Sequence, residues 1–339
     1  MDFIIKLRTF IAMKELKVTI YNHAKELPPI LESNFFHSPE LMELCERTPR
    51  MKPYMAVVTD SDETVMAHML AIVYYRRSWL PPFLYSHVRV VGEGVYHCTN
   101  DHHTEQLLFG RMAEALTERM QNRTLYVEFS HLSQKMYGYK ELKQLGFFHV
   151  KWMNIHNSLH SRTPEERIHE RQMKRIEAAI ERGAETKLVE TEAEFQQFSK
   201  LLRRHNWLKP RKYLPVDNFF RGMMKSNNCR LFITTYHERV IGCCACVHSD
   251  GDTYLWYTAS RRKSYAPLHP NAVTIWNAIK HAHQEGMQHF RFIDVGLPFR
   301  KNPYRDFILS FGGKEVTGFR WFRISIRWVN ALASWWWRE

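Results

Sequence analysis

Hydrophobic periodicity changes four times between Thr253 and Val316, and the rest of the chain is organised around that stretch. Thr253–Thr258 is a run of aromatic and β-branched residues, the composition of a strand. A basic segment, Ser260–Tyr265, follows, and then His269-Pro270-Asn271. From Asn271 to Glu285 the apolar residues Ala272, Ile275, Trp276, Ile279 and Ala282 keep the spacing of one helix face. Gly286 stands where a left-handed C-terminal cap belongs. Phe290–Gly296 predicts a second strand that ends on Asp294 and a glycine, Tyr304–Ser310 a short helix, and the segment after Phe311-Gly312-Gly313 a last strand.

The same order occurs earlier in the chain. An offset of 166 residues lays Gln106–Gln121 over the Asn271 helix, Leu125–Ser130 over the Phe290 strand, and Gly146 over Gly312. Glu128 then falls on Asp294. Repetition of a whole pattern is the signature of two copies of one unit, here an α/β unit. Around these copies, Leu16–Tyr21 reads as a strand, Ser38-Pro39 as a helix start, and Tyr54–Thr59 with Thr64–Tyr74 as a strand pair turning at Asp60–Glu63. Thr163–Glu166 begins a charged helix to Gly183, carrying Arg167, Arg171, Lys174 and Arg175. That helix is either a solvated linker or one wall of an anion-binding cleft. Arg203–Tyr213 is a basic loop with Trp207 and Tyr213, suited to stacking on a nucleotide or to lying on the surface. The boundaries that follow are 14–160 and 184–326 for two domains, 161–183 for a helix joining them, and 327–339 for an aromatic tail.

Composition narrows the class. In 339 residues, 45% hydrophobic content and 24% charged content describe a globular chain. A formal net charge of +13 points to polyanionic partners: nucleic acid, anionic headgroups or phosphorylated substrates. Six cysteines without a disulfide framework suit a reducing compartment. Cys243, Cys244 and Cys246 lie in an apolar strand whose neighbours alternate faces, and His97, His102 and His103 lack zinc spacing, so no metal is expected. No apolar run has the length of a membrane span, and Met1–Ala12 is a poor signal peptide, with Met13 an alternative start. At the other end Trp328, Leu332, Trp335 and Trp336 take helical spacing beside Arg320, Arg323, Arg327 and Arg338. Such a segment suits reversible binding of a cytoplasmic protein to the anionic inner membrane surface, or docks on its own core.

The paired α/β units, Phe35–Pro39, the Asn157–Gly183 linker and Phe290–Gly313 resemble the Fem-type acyltransferases, tandem-domain members of the GNAT superfamily. The resemblance covers most of the chain from Leu16 onward. It implies an α/β fold of two GNAT-like mixed-sheet domains in tandem, joined by a helix. It also implies transfer of an acyl or aminoacyl group to an amine of an envelope or lipid-linked precursor. The donor would be aminoacyl-tRNA or acyl-CoA, with no tightly bound cofactor; tRNA is then a partner alongside the amine-bearing acceptor. Two other readings stand: an acyl-CoA-dependent N-acetyltransferase, and a non-catalytic protein that binds a polyanion or partner on a degenerate GNAT fold.

Acyl transfer needs a proton relay for the amine, donors for the oxyanion and a held leaving group. Asp294 is the candidate for the amine, or else a loop-ordering cap, and Glu128 its structural counterpart. Tyr304 and Arg305 are candidates for the donor or the oxyanion. Tyr257 and Tyr265 are candidates to line the cleft. Acetyl-CoA enzymes of this superfamily use a glycine-rich loop at a helix start, whereas Arg261–Asn271 contains no glycine, so Arg261, Arg262 and Lys263 would supply side-chain cations beside Asn271. Ile308 stands where related sequences carry lysine, leaving Arg305 the nearest cation, and the helical hairpin inserted in some Fem enzymes is absent.

Overall fold

The computed structural model describes residues 16–30, 34–77, 84–97, 101–206 and 214–338. In chain order the elements are β1 (Lys17–Tyr21), α1 (Pro39–Glu46), β2 (Met51–Thr59), β3 (Val65–Arg77), β4 (Leu84–Val91), β5 (Val95–Tyr96), α2 (His102–Met120), β6 (Tyr126–Ser130), α3 (Tyr139–Gln144) and β7 (Phe148–Ser158). There follow α4 (Pro164–Arg167), α5 (Glu170–Glu181), β8 (Glu185–Leu188), α6 (Glu192–Asn206), α7 (Asp217–Lys225), β9 (Cys229–Tyr236), β10 (Arg239–Ser249) and β11 (Asp252–Ser260). The chain closes with α8 (Pro270–Gln284), β12 (His289–Gly296), α9 (Pro303–Leu309), β13 (Lys314–Ile324) and α10 (Arg327–Trp336). Two compact units result: residues 1–151 with 318–339, and residues 152–317.

In the first unit β1 to β4 pair antiparallel in sequence order, β6 lies parallel to β4, and the end of β13 pairs antiparallel to β6. The β2–β3 turn is held by the Asp60 carboxylate, which accepts from the N–H groups of Asp62 and Thr64. Asp101 caps α2 by accepting from Thr104 N–H at 3.2 Å. One face of α2, with Leu108, Phe109, Met112 and Leu116, is buried in the core that holds Val88, Val90, Val127 and Phe129. Arg320 is buried here and bonds the Glu128 carboxylate at 3.1 Å, which removes it from the cations expected to face a membrane.

The second unit repeats that order. β8, β9, β10 and β11 pair antiparallel, β12 lies parallel to β11, and β7 pairs antiparallel to β12. The predicted face of α8 is buried, with Ala272, Ile275, Trp276 and Ile279 at 3% exposure or less. Gly242 lets α8 sit close to β10, since a Cβ there would stand 2.2 Å from the Thr274 hydroxyl and 3.0 Å from the Pro270 carbonyl. The cysteines of β10 alternate as the strand period requires. Cys243 directs its thiol at the Phe198 carbonyl of α6, while Cys244 and Cys246 join the cluster that includes α8.

Fold class is as expected, a mixed α/β fold repeated in tandem, but the division falls elsewhere than the sequence suggested. The strand following each copy of the repeat completes the other unit: residues 153–158 pair with β12, and residues 321–324 with β6. A parallel pair ends on an open edge, and an antiparallel strand satisfies its backbone groups. Nor is the Pro164–Gly183 segment a linker. It breaks at Ile168 into α4 and α5, and Ile168, Ile176 and Ala179 are buried in the second unit's core. Its start carries the anticipated cap, with Thr163 N–H donating to Glu166 at 3.2 Å.

Candidate functional site

Chemistry concentrates where β11 and β12 part. Their parallel ladder runs from Asp252↔His289 to Leu255↔Phe292 and stops, although β11 continues to Ser260 and β12 to Gly296. In open α/β sheets the carboxyl ends of parallel strands are where ligands bind. β12 also breaks register with β7 between Phe292 and Gly296, so the segment 293–295 bulges. Asp294 sits in that bulge, exposed, with φ at 64°. A non-glycine residue in the left-handed region is a candidate functional position, and Asp tolerates it better than most.

Asn302 fixes the loop behind the bulge. Its amide donates to the Val295 carbonyl at 2.7 Å, and its oxygen accepts from Tyr304 N–H at the start of α9. Tyr304 is thereby placed near Asp294. Burial first, and the negative charge of Asp294 second, push the Tyr304 hydroxyl up to about 12, so it stays protonated at neutral pH.

Tyr304 lines a cavity of about 360 Å³ together with Gln172, Arg175, Arg262, His269, Asn271 and Phe307. Thr258 donates to the Asn271 side chain at 3.2 Å, tying the end of β11 to the start of α8. A second concavity of about 500 Å³ shares Arg175 and His269 and adds Arg171, Lys174 and Arg182. Its single acid, Glu170, pairs with Lys174 at 2.5 Å. His269, in the left-handed conformation that precedes Pro270, is held below its ordinary value by burial and then by Arg175, Arg182 and Arg262. Cations crowded enough to disfavour a further charge favour an anion in the same place.

Residues 167–301 match the family model of the acetyltransferase (GNAT) domain. They lie wholly in the second unit. That stretch is similar to a GNAT domain. Among solved structures the chain shares its fold with FemX, at 12% identity over 92% of this chain and 96% of that one, TM-score 0.61. The C-terminal domain of a protein assigned as a lysylphosphatidylglycerol synthetase from Agrobacterium fabrum aligns at 9% identity over 88% and 90%, TM-score 0.57. A tandem GNAT protein from the clavulanic acid biosynthesis pathway aligns at 10% identity over 92% and 99%, TM-score 0.54. No curated protein matches the chain in sequence. The whole chain therefore has a Fem-like tandem GNAT fold.

Within the second unit the structure gathers some of the residues singled out from sequence and disperses others. Arg262, Asn271 and Tyr304 line one cavity, with Asp294 close to Tyr304. Arg305 is turned away: its guanidinium donates to the Pro298 carbonyl at 2.9 Å and lies 3.5 Å from Glu315, so it clamps the loop rather than facing an oxyanion. Tyr257 is core, 6% exposed and edge-on to Phe220 at 5.0 Å, not cleft lining. Tyr265 packs on Tyr236, Lys263 is exposed outside the cavity, and Arg261 spends its backbone N–H on the Ile241 carbonyl with Nε buried. Trp207 and Tyr213 lie outside the described residues.

Gln172, His269 and Phe307 line the cavity without being among the site candidates of the sequence, and Arg175 belongs there to a charged helix face. A signal was available: Arg171, Lys174, Arg175, Ala178 and Arg182 recur at helical spacing, opposite the buried Ile176 and Ala179. At the start of α8 the N–H groups of Ala272 and Val273 already donate to the His269 carbonyl, and the side chains of Arg175 and Arg262 line the cavity beside it.

Proposed function

We propose that the second unit transfers an acyl or aminoacyl group from a phosphorylated donor to an amine of an envelope or lipid-linked precursor. The observation that carries this reading is a cation-rich concavity that shares Arg175 and His269 with the smaller cavity lined by Tyr304. The donor's phosphates rest among Arg171, Arg175, Arg182 and Arg262, and its acyl group reaches toward Tyr304. The amine, held at Asp294, loses a proton through that carboxylate to solvent and attacks the acyl carbon. A C–N bond forms, and the C–O bond of an ester or the C–S bond of a thioester breaks. The departing oxygen or sulfur takes a proton from the Tyr304 hydroxyl, which solvent restores.

Aminoacyl-tRNA and acyl-CoA both supply phosphates and an activated acyl carbon. Likeness to FemX and to a lysylphosphatidylglycerol synthetase domain supports the first and a lipid-linked acceptor; the GNAT family model supports the second. The deciding experiment offers radiolabelled aminoacyl-tRNA and acetyl-CoA separately, with amine-bearing lipid and peptide acceptors. Transfer from either donor, with KM for that donor raised about tenfold or more by Arg175→Ala, is the expected result. Tight binding of RNA or CoA without turnover would instead establish the non-catalytic reading.

A further inference from the structure

α10 is mounted the wrong way round for an ordinary surface helix. Asn330, its polar residue, faces the first unit: the amide donates to the Gly146 carbonyl at 3.0 Å and its oxygen accepts from Ile324 N–H at 2.8 Å. Ala333, Ser334 and Trp337 on that side are half-buried. The opposite side carries Trp328, Leu332, Trp335 and Trp336, at 72%, 57%, 62% and 72% exposure. Four large apolar side chains on ten residues thus point outward, and among the described residues nothing covers them. An amphipathic helix normally turns its apolar stripe inward.

The neighbouring strand ends extend this surface. Ile324 pairs with Tyr126, Tyr126 with His87, and His87 with Tyr74, so the end of β13, the starts of β6 and β4 and the end of β3 share one end of the unit. Leu84 and Tyr75 are exposed there, at 71% and 46%. Arg76, Arg77, Arg123, Arg327 and Arg338 occupy the same segments. Residues 74–77, 84–91, 121–127 and 322–338 contain no aspartate or glutamate at all.

We propose that this end of the first unit is a docking surface for an anionic lipid bilayer, with the tryptophans of α10 inserted at headgroup depth. Trp and Leu on a convex helix ridge suit the headgroup boundary, where indole rings keep a wet N–H. Arginines without competing acids supply attraction to anionic headgroups, screened by salt. Nucleic acid would use the same cations but gains nothing from Leu332 and Leu84. The inference stands independently of the acyl-transfer reading.

The test uses the full chain with vesicles of phosphatidylcholine and phosphatidylglycerol in equal parts, against phosphatidylcholine alone. Co-sedimentation with the anionic vesicles at low salt is expected, together with quenching of tryptophan emission by brominated lipid. The variant Trp328→Ser/Trp335→Ser/Trp336→Ser should keep its thermal midpoint and lose vesicle partitioning by roughly tenfold or more. Absence of binding at low salt, or equal binding to neutral vesicles, overturns the proposal. A drop of several degrees in the variant's midpoint shows the stripe covered by its own chain, and loss of a dimer shows it covered by a second copy. Loss of RNA binding with vesicle binding unchanged assigns the surface to nucleic acid. Each of these three outcomes also overturns it.

Discussion

The two units share one plan and differ at the place where chemistry would occur. In the first, β4 and β6 stay paired from His87↔Tyr126 through Val91↔Ser130, and the Gly92 N–H still donates to Ser130. In the second, the corresponding strands separate after four pairs. The carboxylates follow suit. Glu128 sits inside the closed ladder opposite Arg89, 3.5 Å from its guanidinium and 3.1 Å from that of Arg320. Asp294, at the equivalent position, stands in a bulge beyond the end of the ladder and is exposed. A zipped pair of strands leaves room for structure only; a parted pair leaves room for a ligand. One copy closes its strands over a buried ion pair, and the other parts them beside an exposed carboxylate.

The largest effect expected from that contrast is on activity. Asp294→Asn should cut turnover by about 10²–10⁴-fold, the usual reach of a positioned acid or base, with little change in thermal midpoint. Glu128→Gln should do the opposite. It leaves Arg320 buried beside a neutral group, a loss of about 3–5 kcal/mol of stability, with KM for the donor unchanged in whatever remains folded. An inactive, fully stable Glu128 variant together with a fully active Asp294 variant would reverse the assignment of the two copies.

The paired glycines sharpen the comparison at a smaller scale. Gly146 and Gly312 both adopt left-handed φ, at 81° and 87°. A Cβ on Gly146 would come no nearer than 3.7 Å to the Arg323 side chain, whereas one on Gly312 would stand 2.2 Å from the Arg167 carbonyl. Gly146→Ala should therefore cost only the backbone term, roughly 1–2 kcal/mol. Gly312→Ala adds a collision with backbone that cannot rotate aside, and about 3 kcal/mol or more is expected in denaturant titrations. Equal losses would mean that the loop before β13 yields freely.

These pairs also show what the sequence could carry. The repeat, the buried face of α8, the cap at Thr163 and the glycines after each short helix were legible, because each is written in spacing over a few residues. Exchange of the final strands was not, since β7 and β13 are alike in pattern and only long-range pairing decides their partners. Asp294 was legible as a carboxylate at a strand end, but its bulge was hidden in an otherwise regular alternation. Arg305 misled because its partners, the Pro298 carbonyl and Glu315, are set by how the loop folds back. Tyr257 misled because Trp256 bulges out of the β10–β11 ladder, where the register jumps between Ala245↔Tyr257 and Cys246↔Leu255. The cationic face of α5 was visible, yet its partner His269 is brought opposite only by packing.

A further contrast is a difference in acid sensitivity between the units. In the first unit burial holds His37 down to about 3, His68 to about 4 and His87 to about 3, each from an ordinary value of 6.5. The His37 ring sits against the N–H groups of Leu70 and Gly94 at 3.0 and 3.1 Å, and His68 contacts the His97 ring at 2.9 Å. In the second unit only His248 is lowered so far, to about 4, by burial outweighing the charge of Glu285. Burial also lowers His97 and His149 in one unit and His156 and His269 in the other, two on each side. Between pH 6.5 and about 4 the unfolded chain binds protons that these buried imidazoles refuse, so the unfolded state holds more protons and stability falls as pH falls. Each strongly lowered histidine contributes at most about 1.4 kcal/mol per pH unit in that window. Three against one makes the first unit lose protection faster. Hydrogen exchange at pH 7 and pH 5 should show larger loss of protection in β3, β4 and α1 than in β9, β10 and α8. Equal losses in the two sets would mean that the histidines of the first unit reach solvent in the folded protein.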